Sequence, residues 1–224
     1  MGQHGAMPTE LPLLGRMADP TLDLERLHAA TRILAERDAD LGAIVARLGP
    51  PPLWDRPPGF ATLVGIILEQ QVSLRSGAAA LERLRLAAGS VEPSAIVALG
   101  EEGARRAGLT RQKARYVVEL GEAALDGRFD PAAVAAADDD TARSRLTSLL
   151  GIGRWTADIY LLMALGRRDI WPDGDLALAV AMRRAKGLVV LPDAAAQRAI
   201  AEPWRPWRAI GARLLWHAYL GGER

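Results

Sequence analysis

The sequence predicts an all-α protein, and three observations carry that expectation. Apolar residues recur in helical period through most of the chain after Pro20. Pro and Gly clusters punctuate the periodic stretches. No stretch shows strand alternation bounded by turns. The chain has 224 residues, half of them apolar and a quarter charged. That is an ordinary globular composition, with enough chain for one sizeable core or two small ones.

The elements follow in order. Residues 1–19 mix Pro and Gly and are expected to be loose. TLDLERLHAATRILAERDADLGAIVARL sets Leu24, Leu27, Ile33, Leu34, Leu41, Ile44 and Val45 broadly in helix period, so residues 21–48 read as helical. GPPPLWDRPPG (49–59) breaks the pattern. FATLVGIILEQQVS (60–73) is an apolar helix ending in two Gln and a Ser, and Ser73 can cap LRSGAAALERLRLAAG. Two shorter segments lie around 93–107, after which Thr110 caps RQKARYVVELGEAAL. Pro131 opens a short Ala-rich helix, and TARSRLTSLL (141–150) leads into Gly151-Ile152-Gly153. RWTADIYLLMALG is apolar nearly all round and is expected to be buried. RRDIWPDG is a loop, DLALAVAMRRAKG is again apolar, and PDAAAQRAIAE and PWRPWRAIGARLLWHAYL finish a chain of about ten helices.

Composition excludes several chemistries. With no cysteine there are no disulfides, thiolate nucleophiles, Cys-ligated zinc or iron–sulfur clusters. His4, His28 and His217 lie far apart and show no metal-ligand spacing. No apolar run approaches the ~20 residues of a membrane helix, and the N-terminus lacks a charged region followed by an apolar one, so the expected location is cytoplasmic. Net charge is +1, which gives no bulk hint of a nucleic-acid partner. Only Lys113 and Lys186 are lysines; the other basic residues are Arg.

Two stretches carry chemistry. In Leu149-Leu150-Gly151-Ile152-Gly153-Arg154-Trp155-Thr156, a Gly-x-Gly turn runs into a helix. The first amides of a helix have no internal partner, so such a turn can seat an anion, with Arg154 adding charge and Ile152 plugging into the core. A bare Gly-x-Gly is more often only a corner. The second stretch, Pro172-Asp173-Gly174-Asp175-Leu176, sets an acid at the mouth of an apolar helix. Asp175 is a good N-cap, and a cap is all that most such residues are. Asp173 is its rival as a reactive acid. Asp158 reads as an inter-helix bonding group and Asp169 as a loop acid.

Taken together, these stretches resemble the helix-hairpin-helix DNA glycosylases, and within them the alkylpurine branch. The resemblance extends to Ile67-Leu68-Glu69-Gln70-Gln71-Val72-Ser73, to Gly108-Leu109-Thr110-Arg111-Gln112-Lys113-Ala114 and to Arg205-Pro206-Trp207-Arg208, and covers roughly residues 50–220. It implies two helical subdomains with a DNA-facing cleft between them and no N-terminal β domain. One would be formed by 20–58 with 173–224 and carry the acid; the other, 59–172, would carry the hairpin.

The resemblance also implies roles. Asp175 would stabilise an oxocarbenium-like sugar while water displaces a damaged base. Gln71, or else Gln70, would enter the base stack behind a flipped nucleotide. Trp155 and Trp216, with Tyr160 less securely placed, would face a cationic alkylated purine such as 3-methyladenine or 7-methylguanine. Gly151, Gly153, Arg154, Thr110 and Lys113 would contact phosphates, and carbonyls near Leu150 and Ile152 could hold a Na+ or K+ ion. Related bifunctional enzymes place a lysine nucleophile where this chain has Trp155, and the endonuclease III type carries four cysteines. The expectation is therefore a monomeric, monofunctional enzyme acting on double-stranded DNA that contains alkylated bases, with no iron–sulfur cluster; the alternatives are a non-catalytic helix-hairpin-helix protein that binds damaged DNA, or a glycosylase for another lesion class. The departure at Ile159, where some members have tyrosine, leaves the pocket shape and substrate range open.

Overall fold

Helix boundaries follow the local capping chemistry closely. The structure, a computed structural model, describes residues 21–221; the loose segment expected for 1–19 lies outside them. Among the described residues there are twelve α-helices: α1 (Leu24–Arg37), α2 (Ala39–Leu48), α3 (Phe60–Glu69), α4 (Leu74–Ala88), α5 (Pro93–Arg106), α6 (Arg111–Leu125), α7 (Pro131–Ala136), α8 (Asp139–Thr147), α9 (Arg154–Met163), α10 (Leu176–Ala185), α11 (Ala194–Ala201) and α12 (Arg208–Gly221), with a 3-10 turn at Glu202–Trp204 before the last. The one β-type pairing among these residues is an isolated bridge between Thr21 and Arg167. Ser73, Thr110 and Asp175 each accept a hydrogen bond from the backbone three residues on. These are the bonds that stop a helix's first amides from being orphaned.

Two segments differ from the sequence pattern. Residues 21–48 are not one helix. Asp38 is extended (φ −134°, ψ 107°), and its carboxylate accepts from the amides of Asp40 and Leu41, so it ends one helix and starts the next. The two segments around 93–107 form a single helical run kinked at Gly100 (φ +69°).

The stronger helix contacts fall into two sets. The chain ends supply α1, α2, α10, α11, the 3-10 turn and α12; the middle supplies α3 to α9. A single apolar core nevertheless runs through both, from Leu27 and Leu34 through Leu63, Ile66 and Ile67 to Leu161, Leu178 and Leu214. Burying each such side chain contributes about 1.5–3 kcal/mol.

Two polar hubs brace the helices: one, at Asp38, joins elements within the chain-end set, and the other, at Arg213, ties that set to the middle one. Asp38 accepts from Lys186 Nζ at 2.6 Å on both oxygens and from Trp204 Nε1 at 2.7 Å. Its carboxyl lies below the usual range: burial pushes it up, but the Lys186 and Trp204 donors outweigh that. Arg213 of α12 is buried and donates to the carbonyls of Leu53 (2.8 Å) and Leu162 (3.0 Å). Burial lowers its pKa to about 10, which leaves it charged at neutral pH. By gripping the end of α9 and the loop before α3, it sets the pose of α12 and hence of Trp216, three residues further on.

Candidate functional site

A tight turn delivers the acid. The Asp175 amide donates back to Pro172 O (3.5 Å), and Gly174 supplies the positive φ (+79°) that the third position of such a turn requires. Asp175 is thereby placed as N-cap of α10, with Oδ1 accepting from Leu178 N at 2.8 Å. The cap is only part of its surroundings. Trp155 Nε1, on the first turn of α9, donates to Oδ2 at 2.9 Å. Trp216 Nε1, on α12, reaches Oδ1 at 3.4 Å. Two indoles from two helices therefore aim N–H groups at one carboxylate, which keeps 9% of its surface exposed. Beside it, Leu176 is largely exposed.

The aromatic candidates separate. Trp155 is half-buried, with its ring at the edge of the site, and Trp216 is 9% exposed. Tyr160 does not join them. It is fully buried, and its hydroxyl accepts from the Gly59 amide at 2.9 Å. Six residues along α9 from Arg154, it lies on the inward face of a helix that is apolar nearly all round.

The hairpin between α8 and α9 is built from the core outward. Ile152 is buried and anchors the turn. Gly151 has φ +81° and sits directly on the Tyr116 ring, where a Cβ would overlap the aromatic carbons. Gly153 does not use the left-handed backbone that glycine allows. Its φ is −84°, a conformation open to any residue, and no atom lies within 4 Å of where a Cβ would be. Gly153 is exposed and offers no side-chain cap, so no side chain of the N-cap residue holds the first amides of α9. Next to them, Arg154 Nε pairs with Asp173 Oδ2 at 2.8 Å, and Arg198 reaches the same oxygen at 2.9 Å. Asp173, the rival acid, is thus committed to two guanidiniums. Asp158 is fully buried and bonds Arg143 of α8 at 2.6 Å, the inter-helix role its position suggests. Burial raises its pKa in spite of Arg143.

The tip after α3 brings the largest corrections. Gln71 is exposed, with φ +58°. Gln70 is not available to enter a base stack: its Nε2 donates to Gly151 O and to Thr156 Oγ1, both at 2.9 Å. Lys113 is not a free phosphate ligand. Its Nζ donates to the carbonyls of Leu68 (2.7 Å) and Gln70 (2.9 Å), capping the end of α3, and burial lowers its pKa. Thr110 spends its hydroxyl on the Lys113 amide (3.2 Å). Two site residues went unmarked in the sequence. Tyr116 is the floor under Gly151, and Thr156 is an anchor for Gln70. Tyr116 stands in no motif and only the fold brings it to the hairpin; Thr156 lies within the hairpin stretch, but its partner Gln70 is 86 residues away.

The helical fold, the uncapped Gly-x-Gly hairpin and the acid held between two indoles can be set beside known proteins. The pattern of the HhH-GPD superfamily base excision DNA repair proteins matches residues 64–206. The chain belongs to that family. It is 30% identical over 224 residues to the Mycobacterium tuberculosis protein named "Probable bifunctional transcriptional activator/DNA repair enzyme AlkA", an alignment covering 88% of this chain and 44% of that one. The chain spans about half the length of the first curated relatives it matches. Among solved structures, a DNA-3-methyladenine glycosidase from Bacillus halodurans is 26% identical with TM-score 0.74, covering 87% of this chain and 91% of that one. The 3-methyladenine DNA glycosylase Mag1 of Schizosaccharomyces pombe, solved with abasic DNA, superposes with TM-score 0.76 at 23% identity, over 84% of this chain and 95% of that one, and shows the shared fold. Among the described residues, no helix is long and apolar enough to cross a membrane.

Proposed function

We propose that this protein is a monofunctional DNA glycosylase that removes alkylated purines from duplex DNA and leaves an abasic site. The observation that carries the reading is the Asp175 carboxylate, held at a helix N-terminus between the Trp155 and Trp216 N–H groups. A lesion nucleotide turned out of the stack would place the anomeric carbon of its sugar against that carboxylate. As the bond to the base lengthens, the sugar gains positive charge. A fixed carboxylate opposes that charge without reorganising, and it can also accept a proton from the attacking water. The Trp155 and Trp216 faces suit a cationic purine by cation–π attraction. Such a base is already a good leaving group, so no strong general acid is needed. The matched relatives whose names specify 3-methyladenine support this substrate class.

The placement of the lysines supports a water-only route. A Schiff base needs a free amine beside the sugar. Here Trp155 occupies the position after Gly153-Arg154, Lys113 is held by Leu68 and Gln70, and Lys186 by Asp38 and Asp40. The phosphate beside the lesion would sit on the first amides of α9, with Gln71 filling the vacated stack. The carbonyls of Leu150 and Ile152, at the hairpin, could hold a Na+ or K+ ion, which would add positive charge toward a phosphate.

The test is base release from methylated duplex DNA by wild type and Asp175→Asn, with mild alkali to reveal abasic sites. The wild type should release methylated purines and give breaks only after alkali. The variant should bind the duplex and release none. Release at the wild-type rate by the variant would remove Asp175 from the mechanism. Breaks before alkali would overturn the water-only route.

A further inference from the structure

Residues 71–76 form an exposed tip, and a tip that must enter a base stack has to be placed to within a fraction of an ångström. The fold holds its base with four side-chain hydrogen bonds. Both amide protons of Gln70 are used, one on the Gly151 carbonyl inside the hairpin and one on Thr156 Oγ1 in the first turn of α9. From the other side, Lys113 Nζ holds the carbonyls of Leu68 and Gln70.

Between these clamps the backbone makes a tight turn. Val72 N donates to Glu69 O (3.4 Å), Gln70 has φ −57° and ψ 128°, and Gln71 follows at φ +58°. That is the pattern of a type II turn, whose third position favours glycine. The equivalent position of the 172–175 turn in the same site is Gly174. At Gln71 the chain accepts backbone strain and presents a long polar side chain.

We propose that Gln70 is a positioning residue that bolts this tip to the hairpin, so that the phosphate seat and the residue entering the stack move as one body. The inference rests on the glycosylase reading above and extends it. Docking a phosphate on the amides of α9 would fix, through Gly151, Thr156 and Gln70, where Gln71 meets the duplex. Gripping the strand and opening the stack become one event.

The experiment compares wild type, Gln70→Glu and Thr156→Val on one methylated purine, placed either in a duplex or in an unpaired bulge. Glu keeps the size of Gln but cannot donate to the Gly151 carbonyl. Thr156→Val removes only one of the two anchors and tests the same link should Gln70→Glu fold poorly. Single-turnover release and the fluorescence of a 2-aminopurine beside the lesion are both read. Gln70→Glu should slow release from the duplex by about 10- to 100-fold, abolish the fluorescence rise, and leave bulge release within about twofold of wild type. Thr156→Val should show the same selectivity, less strongly. Equal slowing on both substrates, or no slowing on either, would overturn the proposal. A wild type inert on both would overturn the glycosylase reading, and this inference with it.

Discussion

The indole N–H of Trp155 donates to Oδ2 of Asp175 across 2.9 Å and 20 residues of sequence. This bond joins the hairpin helix α9 to the acid at the mouth of α10, so the hairpin and the carboxylate share one frame. Trp155→Phe keeps most of the ring and removes the donor. A hydrogen bond to a charged group contributes about 1.5–3 kcal/mol, so the rate of base release should fall by about 10- to 100-fold. Duplex affinity should stay near wild type, and the thermal midpoint should fall by several degrees, about 2–4 °C per kcal/mol lost. An unchanged single-turnover rate would show that the indole merely covers the acid.

The two hairpin glycines should respond differently. Gly151→Ala meets both the Tyr116 ring and a φ of +81°, and should cost about 2–4 kcal/mol in urea unfolding. Gly153→Ala has neither obstacle and should unfold within about 1 kcal/mol of wild type. Introducing Asp there instead would place negative charge on the first amides of α9 and remove salt-dependent duplex binding. Retained affinity in Gly153→Asp, measured by fluorescence anisotropy, would place the phosphate seat elsewhere.

Gln71→Gly tests whether strain is being held for function. Relief of the positive φ is offset by glycine's extra unfolded-state freedom, so stability should range from unchanged to about 1 kcal/mol higher. Base release from duplex DNA should fall. A variant both less stable and fully active would show that the side chain serves the fold.

Acid should unfold the protein partly through Asp38. Its folded-state pKa is depressed by the Lys186 and Trp204 bonds acting against burial, so its contribution is complete above its unfolded value of about 4 and is lost as pH falls through the folded value. Asp38→Ala should cost about 2–4 kcal/mol at pH 7, where it leaves Lys186 with only Asp40 and α2 without its cap. The gap between wild type and variant should narrow below about pH 4. A gap independent of pH would assign the loss to packing around Trp204.

Much of this molecule was legible in the residues alone. Ser73, Thr110 and Asp175 mark helix starts because a cap acts on amides two or three residues away, and Pro131 because its fixed φ suits the first helical position, all within reach of local sequence. The all-α class and the joint motifs at 67–73, 108–114, 149–158 and 172–176 were visible for the same reason. The tertiary structure alone decided which side chains meet. Trp216 lies 41 residues from Asp175, and Tyr160, five residues after Trp155 on the same helix, turns into the core instead. Gln70 and Lys113 read as DNA ligands in the sequence, yet their polar ends are consumed by the hairpin and the end of α3. Local spacing sets where a helix begins. Which face it turns to a ligand depends on how neighbours from distant parts of the chain pack against it, and that is settled only when the core closes.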